Sequence, residues 1–376
     1  MSDREQMIAE ARNNCGYLPP ALVCEAPAVE PLRINAAAPS SMVSSFVPPQ
    51  IAFEQKLSVE EAICGAAPLS DPCEHNNGEP AFVPESLSFQ KMLSEYSCMR
   101  FDDRLKCISR RFLGIPYLFD PLGEGDAGDV DRDPLFRFDA LDCMTYVEEV
   151  LAMAHADSFE SFLGTLTNIR YHGGVNAYGL RNHFVEADWI EENSHNGYMR
   201  DITLQVGGAL VRNMGVQIDR ARWIDDKENL TPCEKSTARL ELWQMGLDKP
   251  RRVSLDYLPV SAFLADGRGR DAPSSLLSER LPEVSIAVFL RKEDAVKKIG
   301  AIVAHMGLLI VPVLNGGSRG EPFLRHASSR VNAVIDEPFL PYLRSQEKIR
   351  AGVTILAPLN KAERAAPSSE IISPAK

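Results

Sequence analysis

A series of short apolar segments in the C-terminal third limits the fold more than any other feature of this chain. The segments are rich in branched residues and are bounded by turn residues, a pattern typical of β-strands. Asn315-Gly316-Gly317 separates two of them as a hairpin loop would. Short connections predict antiparallel pairing. The predicted strands are Ser285–Leu290, His305–Val313, Phe323–Ser328, Val331–Ile335 and Gly352–Leu356.

Helical periodicity dominates the region before these strands. The predicted helices lie at Leu87–Tyr96, at Asp103–Leu113, from Cys143 onwards and around Ser236–Gln244. Helices followed by a sheet predict an α+β domain over residues 86–360. The helix from Cys143 is expected to bury Leu141, Val147, Val150 and Leu151 and to turn Glu148 and Glu149 to solvent.

Residues 1–85 differ from the rest, because they hold 11 of the 26 prolines and show no sustained period. We predict a disordered acidic extension there, with short helices at Asp3–Arg12 and Ser58–Cys64. The Ala/Pro/Ser-rich residues 361–376 are expected to form a flexible tail. A second exposed loop is expected at Leu264–Pro273.

The net charge of −12 and the absence of a basic stripe argue against a nucleic-acid partner. No apolar run is long enough to span a bilayer. The N-terminus lacks the basic and apolar regions of a signal peptide. We therefore expect a cytoplasmic chain or export by a signal-independent route. If the start is misassigned, the expected location is the periplasm or cell envelope. The oligomeric state is not indicated.

The eight cysteines form no C-x-x-C pair. The cysteines of the N-terminal segment could pair if the chain is exported. Cys143 stands out because it begins a helix, where the first-turn N–H groups and the helix dipole favour a thiolate. The charge of Asp142 opposes that effect. A free cysteine is more often a small buried residue than a nucleophile, so a histidine must serve it.

Two histidines could do so. His305 begins one predicted strand and His326 ends the next, so a hairpin would bring the imidazoles together. Cys143 is then the nucleophile, His305 the base and His326 the residue that orients the base. Such a set predicts acyl transfer through a thioester and needs no metal or cofactor.

The polar, aromatic segment 161–203 permits three interpretations. His172, His183 and His195 could bind a metal, although no helical H-x-x-x-H spacing occurs. The segment could instead be a surface loop with satisfied histidines. A third hypothesis is a substrate-contact loop, in which a cation, hydrogen-bonding groups and a stacking face come from Arg181, His183, Asp188 and Trp189.

Several motifs in order give a family resemblance. GIPY at 114–117, LDCMTYVE at 141–148, HMGLLI at 305–310 and HASS at 326–329 resemble the NlpC/p60 superfamily of papain-like cell-wall hydrolases. The narrower match is to the domain-of-unknown-function family 1460, described as N-acetylmuramoyl-L-alanine amidase-like, and runs from about Ser86 to Leu356. Its R-x-H-[YF], D-W and D-I-T elements correspond to residues 181–184, 188–189 and 201–203.

The resemblance implies a papain-like core that hydrolyses the amide between N-acetylmuramic acid and L-alanine of peptidoglycan or muropeptides. It implies the same Cys143, His305 and His326 roles, and it places Tyr117 beside the nucleophile. The substrate-binding residues expected are Tyr117, Asp142, Arg181, His183, Asp188 and Trp189. Departures are the inserted loop Asp120–Pro134, Phe184 where tyrosine is frequent, and the long connection from His305 to His326.

Three alternatives remain open from the sequence. A γ-D-glutamyl–diamino-acid endopeptidase could use the same fold and cut a different bond. A wall-fragment-binding module could have lost its activity, although the intact cysteine and histidines argue against that. An effector on a papain fold could act on a protein instead.

Overall fold

The computed structural model describes residues 3–15, 87–264, 280–314, 317–360 and 363. The first half is helical, with β1 as its single strand. Its elements are α1 (Asp3–Cys15), α2 (Leu87–Ser97), α3 (Phe101–Arg110), α4 (Cys143–His155), α5 (Phe159–Arg170), α6 (Ile190–His195), β1 (Met199–Asp201) and α7 (Thr203–Gly207). Short 3₁₀ turns at His172–Gly174, Tyr178–Leu180 and Gly208–Leu210, and a π turn at Val185–Trp189, connect them.

The second half alternates strands and short helices. Its elements are β2 (Arg212–Ile218), α8 (Arg220–Asp225), α9 (Pro232–Gln244), β3 (Arg251–Pro259), α10 (Val260–Leu264), β4 (Val284–Arg291), α11 (Glu293–Ile299), β5 (Val303–Ile310), β6 (Phe323–Ser328), β7 (Ala333–Pro338), α12 (Phe339–Gln346) and β8 (Arg350–Pro358). The strands form one eight-stranded antiparallel sheet in the order β2-β3-β8-β4-β5-β6-β7, with β1 added beside β8.

The sheet is buried on both faces, as the alternation along β4 shows. Ile286 and Val288 join the larger core, which α2 to α5 cover, whereas Ala287 and Phe289 join a second core under α10 and α12. Successive side chains of a strand point to opposite faces, so a continuous apolar run serves two layers. The mixed helical and antiparallel arrangement agrees with the predicted α+β class.

The predicted C-terminal strands are confirmed: Phe323–Ser328 matches β6 at both ends, and the boundaries of the other four are shifted by one to three residues. The structure adds β1, β2 and β3, which the sequence pattern did not identify. The predicted helix Ser58–Cys64, most of the loop Leu264–Pro273 and the first two residues of the Asn315-Gly316-Gly317 turn lie outside the described residues. None of the helices in the described ranges is both long and apolar enough to cross a membrane.

Helix α4 is buried on every side, which corrects the prediction that Glu148 and Glu149 face solvent. Both are almost fully buried. The Glu148 carboxylate pairs with Arg170 of α5 at 2.7 Å, and Glu149 accepts the backbone N–H of Arg137 at 3.2 Å. Burial raises the pKa of Glu149 well above its usual value, with Arg170 opposing. Buried charge of this kind needs a partner, so α5 and α4 are locked together.

The described part of the N-terminal segment is attached to the domain. Helix α1 extends the predicted Asp3–Arg12 helix to Cys15, and Cys15 forms a disulfide with Cys233 of α9. Asn14 also donates to Ser236 at 2.7 Å. The predicted helix at Asp3–Arg12 is therefore confirmed, and it is covalently held to the domain, whereas residues 16–85 of the predicted extension lie outside the described residues.

Candidate active site

Cys143 is the first residue of α4, and Asp142 is its N-cap. The Asp142 carboxylate accepts the backbone N–H groups of Met144 and Thr145, while the Thr145 hydroxyl accepts the Asp142 N–H in return. This capping box fixes where the helix begins and therefore where the thiol lies. Asp142 is thus committed to the helix end. Cys143 is the one free cysteine among the described residues.

The surroundings of the sulfur favour the neutral thiol. Burial raises the pKa of Cys143 to about 12, and the charge of Asp142 adds to the rise. Hydrogen bonds from the backbone N–H groups of Met306, Cys143 and Met144 work in the opposite direction but are outweighed. Desolvation therefore opposes the effect that the helix start has on the thiol.

The GIPY motif forms a clamp beside the thiol. Gly114 adopts a positive φ of 85° and donates its N–H to Val334 of β7 at 2.9 Å. The Leu141 N–H donates to the Pro116 carbonyl at 3.0 Å, and the Leu118 N–H donates to the Leu141 carbonyl at 3.1 Å. Leu141 lies two residues before the cysteine. Tyr117, between Pro116 and Leu118, is desolvated, and burial followed by the Cys143 charge raises its pKa to about 12. Its hydroxyl therefore stays protonated next to the sulfur.

The two predicted histidines meet on the sheet. His305 Nε2 lies 2.7 Å from His326 Nδ1, and His326 Nε2 lies 2.9 Å from a carboxylate oxygen of Glu337 on β7. Arg330 pairs with the other Glu337 oxygen. The Met306 N–H that bonds the Cys143 sulfur belongs to the residue after His305. The structure therefore joins two imidazoles and a carboxylate in one hydrogen-bonded chain, and the backbone of Met306, next to His305, contacts the thiol.

Glu337 determines the protonation of both rings. A carboxylate can only accept, so His326 donates through Nε2–H and its Nδ1 is the acceptor of the neutral ring. His305 then donates through Nε2–H, which leaves the lone pair on His305 Nδ1. Burial lowers the pKa of both histidines, most strongly that of His305. The resting site therefore holds a neutral base with one free nitrogen.

The glycine of the H-x-G motif makes this contact possible. Gly307 follows His305 by two positions on β5 and therefore shares its face. A Cβ atom at Gly307 would lie 2.7 Å from the His326 Cβ and 3.0 Å from the Arg325 carbonyl. Because Gly307 has no side chain, β6 and the His326 imidazole can approach β5 closely.

Three further side chains at this site belong to none of the sequence motifs. Tyr342 of α12 lies over His326 with ring centroids 5.3 Å apart. Arg350 acts on the pKa values of both His305 and Tyr342, which places its charge at the same site. Arg291 on β4 lies opposite Arg350 on β8 in the strand register. The β7 and β8 registers bring Glu337 and Arg350 here, and the sequence alone does not give those registers.

The predicted substrate-contact loop is largely structural. Trp189 is fully buried in the larger core, so it offers no stacking face, because its ring packs among apolar side chains. The Asp188 carboxylate pairs with Arg220 and accepts the Phe184 N–H. Arg181 is buried, donates to the Leu122 carbonyl and lies 3.3 Å from Asp120. These three side chains support the loop.

Two histidines of the same segment, His172 and His183, have separate partners. His172 lies 3.0 Å from Glu192, and His183 contacts the Tyr178 carbonyl at 2.9 Å. The His183 ring lies between Tyr178 and the half-exposed Trp223, with centroids 4.8 Å and 4.5 Å away. His195 ends α6. This agrees with the interpretation of satisfied histidines in a loop.

An amidase-like class is supported by comparison with known proteins. The sequence pattern of the AmiA-like family, described as N-acetylmuramoyl-L-alanine amidase-like, matches residues 107–353. The chain belongs to this family, and the match spans Tyr117, Cys143, His305 and His326. The narrower resemblance found in the sequence is therefore confirmed, whereas the NlpC/p60 superfamily assignment stays a prediction. No curated protein sequence matches the chain.

The chain is similar to several solved structures. Protein LPG0564 from Legionella pneumophila, of the family DUF1460, is 27% identical, with a TM-score of 0.62 over 72% of this chain and 93% of its own. An N-acetylmuramoyl-L-alanine amidase from Bacteroides uniformis is 23% identical, with a TM-score of 0.49 over 69% and 99%. A putative xylanase from Bacteroides fragilis is 22% identical, with a TM-score of 0.48 over 66% and 98%.

Proposed function

We propose that this chain is a cysteine amidase that hydrolyses the bond between N-acetylmuramic acid and L-alanine in peptidoglycan or its muropeptide fragments. The observation that carries the proposal is the contact chain from Glu337 through His326 to His305, together with the free thiol of Cys143, which accepts the backbone N–H of Met306, the residue after His305. Family membership supplies the substrate class.

The neutral resting pair implies general-base activation. As the sulfur attacks the lactyl carbonyl, the Cys143 proton passes to His305 Nδ1 and the carbonyl electron pair moves to oxygen. His326 and Glu337 stabilise the imidazolium that forms, because the positive charge is shared along the hydrogen-bonded chain. A neutral base in a desolvated site is suited to this step.

Two donors are positioned for the oxyanion. The Cys143 backbone N–H is at the helix start, and the Tyr117 hydroxyl remains protonated because its pKa is raised. Collapse of the intermediate breaks the C–N bond, and His305 gives its proton to the departing L-alanine amine. Water, deprotonated by His305, then cleaves the thioester and releases the lactyl carboxylate and the thiol.

The disulfides favour an oxidising compartment as the working environment. Cys15, Cys98, Cys107 and Cys233 are all disulfide-bonded. Such bonds persist outside the reducing cytoplasm. We place the folded enzyme in the cell envelope or beyond it, and alkylation of acid-quenched cells would contradict this if these four cysteines were found reduced.

The decisive experiment is mass spectrometry of muropeptides incubated with the protein and with its Cys143→Ser variant. We expect free N-acetylmuramic acid and peptides beginning with L-alanine only from the wild type. Cleavage after D-glutamate would leave the proposed catalytic residues unchanged but assign a different scissile bond, and the protein would then be the endopeptidase. Equal turnover by Cys143→Ser would rule out the cysteine mechanism, and no turnover by either would favour the binding or protein-directed alternatives.

A further inference from the structure

Arg350 is a cation without a counterion beside the nucleophile. Its Nε atom is buried and has no hydrogen-bond partner within the described ranges. Burial lowers its pKa, and the groups that oppose the shift are Tyr342 and Cys143, neither of which is a carboxylate. Arg350 as a whole is half-buried, and a partly desolvated guanidinium without an anion is unfavourable, because it has lost part of its hydration and gained no ion pair.

Most other buried arginines of this acidic chain are compensated. Arg170 pairs with Glu148, Arg220 with Asp188 and Arg325 with Asp336. The guanidinium of Arg291 donates to the carbonyls of Val303 and Ala301. Arg104 and Arg319 also leave Nε unpartnered, but each donates through another guanidinium nitrogen to a backbone carbonyl. Arg350 differs because, among the described residues, its guanidinium has neither a carbonyl nor a carboxylate partner.

The neighbour of Arg350 increases the positive charge. Arg291 and Arg350 are register partners on adjacent antiparallel strands. Like charges directly opposite one another destabilise a sheet. Phe289, two residues before Arg291 on β4, is the register partner of His305, so the arginine pair lies at the same end of the sheet as that histidine. The two guanidinium groups therefore concentrate positive charge at this end of the sheet.

We infer that Arg350, backed by Arg291, binds a carboxylate of the substrate close to the scissile amide. The inference rests on the proposed function and deepens it. A planar guanidinium with a free edge matches a carboxylate in two parallel hydrogen bonds. Binding such a group would supply the missing counterion of Arg350.

The chemistry of the substrate identifies the carboxylate. The sugar side is uncharged, because the lactyl carboxyl is the group engaged in the amide. On the peptide side L-alanine is followed by D-glutamate, which continues through its γ-carboxyl and leaves its α-carboxylate free. That carboxylate is the first anion along the chain from the scissile bond, so we assign it to Arg350.

The test compares two muramoyl tripeptides that differ in this group alone. One is N-acetylmuramoyl-L-alanyl-γ-D-glutamyl-L-lysine, and the other carries an α-carboxamide on the glutamate. Calorimetry on the full chain uses Cys143→Ser to prevent turnover, alone and combined with Arg350→Met, Arg350→Lys or Arg319→Met. Arg319 is a matched control, because it too is a half-buried arginine with an unpartnered Nε, beyond the far end of β5.

We expect Cys143→Ser to bind the carboxylate form about 10- to 100-fold more tightly than the amide form, as a charge-assisted hydrogen-bonded pair would. Arg350→Met should abolish the preference by weakening only the carboxylate form, Arg350→Lys should restore part of it, and Arg319→Met should leave it unchanged. Equal affinities for the two forms, absence of binding, or equal weakening of both by Arg350→Met would overturn the inference.

Wild-type turnover is measured separately and addresses the proposed function. If both tripeptides are cleaved equally well and bind equally, the amidase stands and the carboxylate site fails. If neither is cleaved while Cys143→Ser keeps its carboxylate preference, the bond assignment fails and the carboxylate site stands.

Discussion

Gly307 and His326 face each other so closely that a Cβ atom at 307 would lie 2.7 Å from the His326 Cβ. The position of the second imidazole thus depends on a missing side chain on the neighbouring strand. His305 and His326 can touch because the residue of β5 that lies against His326 is a glycine.

Gly307→Ala should separate the histidines. The methyl group meets a side chain carbon and a backbone oxygen that cannot both move away, so His326 shifts and the bond to His305 weakens. We expect at least a tenfold loss of kcat/KM and a stability cost of about 1–3 kcal/mol from overpacking. Steady-state kinetics and thermal unfolding measure both. Gly164→Ala is the control, because open space surrounds that exposed helical glycine; if it loses as much activity, the steric explanation is wrong.

Glu337→Gln should weaken the base and keep the fold. The change removes the negative charge that raises the pKa of His326. The imidazolium is then less stable, so the acidic limb of the kcat/KM profile moves to lower pH while the maximum falls about tenfold or more. The matched change Asp336→Asn removes the partner of Arg325 instead. That variant should lower stability and move the acidic limb less than Glu337→Gln does, because Asp336 contributes less than Glu337 to the pKa of His326. A limb shifted equally in both variants would contradict the assignment.

The Cys143 thiol should remain protonated through neutral pH. Burial raises its pKa to about 12 and lowers that of His305, so neither group is charged at pH 7. We expect the thiolate absorbance at 240 nm, taken as wild type minus Cys143→Ser, to show no step below pH 8. Iodoacetamide should accordingly label Cys143 slowly at pH 7. A step near pH 5 would instead indicate a resting thiolate–imidazolium pair.

Arg170→Met should destabilise the domain strongly without touching the chemistry. The change leaves the buried Glu148 carboxylate unpaired, which costs about 3–5 kcal/mol. Chemical denaturation measures the loss. Arg222→Met provides the comparison, since Arg222 and its partner Asp226 are exposed and 3.7 Å apart. That exposed pair should contribute about 0–1 kcal/mol, and equal losses in the two variants would show that burial is not the cause.

The sequence predicts local secondary structure well and the register between strands poorly. The C-terminal strands and the His305–His326 pair follow from apolar runs and hairpin spacing, which are local. Glu337 and Arg350 reach the site through the β7 and β8 registers, and no local signal specifies those. Periodicity turns Glu148 to solvent, and the polar surroundings make Trp189 a candidate stacking face. Neither signal can show that these side chains are covered by the rest of the fold.

The N-terminal helix has a topological consequence. Because Cys15 is joined to Cys233 over a separation of 218 residues, the backbone between them closes into a covalent ring that includes Cys143. A protease that cut once anywhere between Gly16 and Leu87 would open this ring without releasing a fragment. The two pieces would part only after reduction, so the chain can be processed in that segment and still keep its first helix.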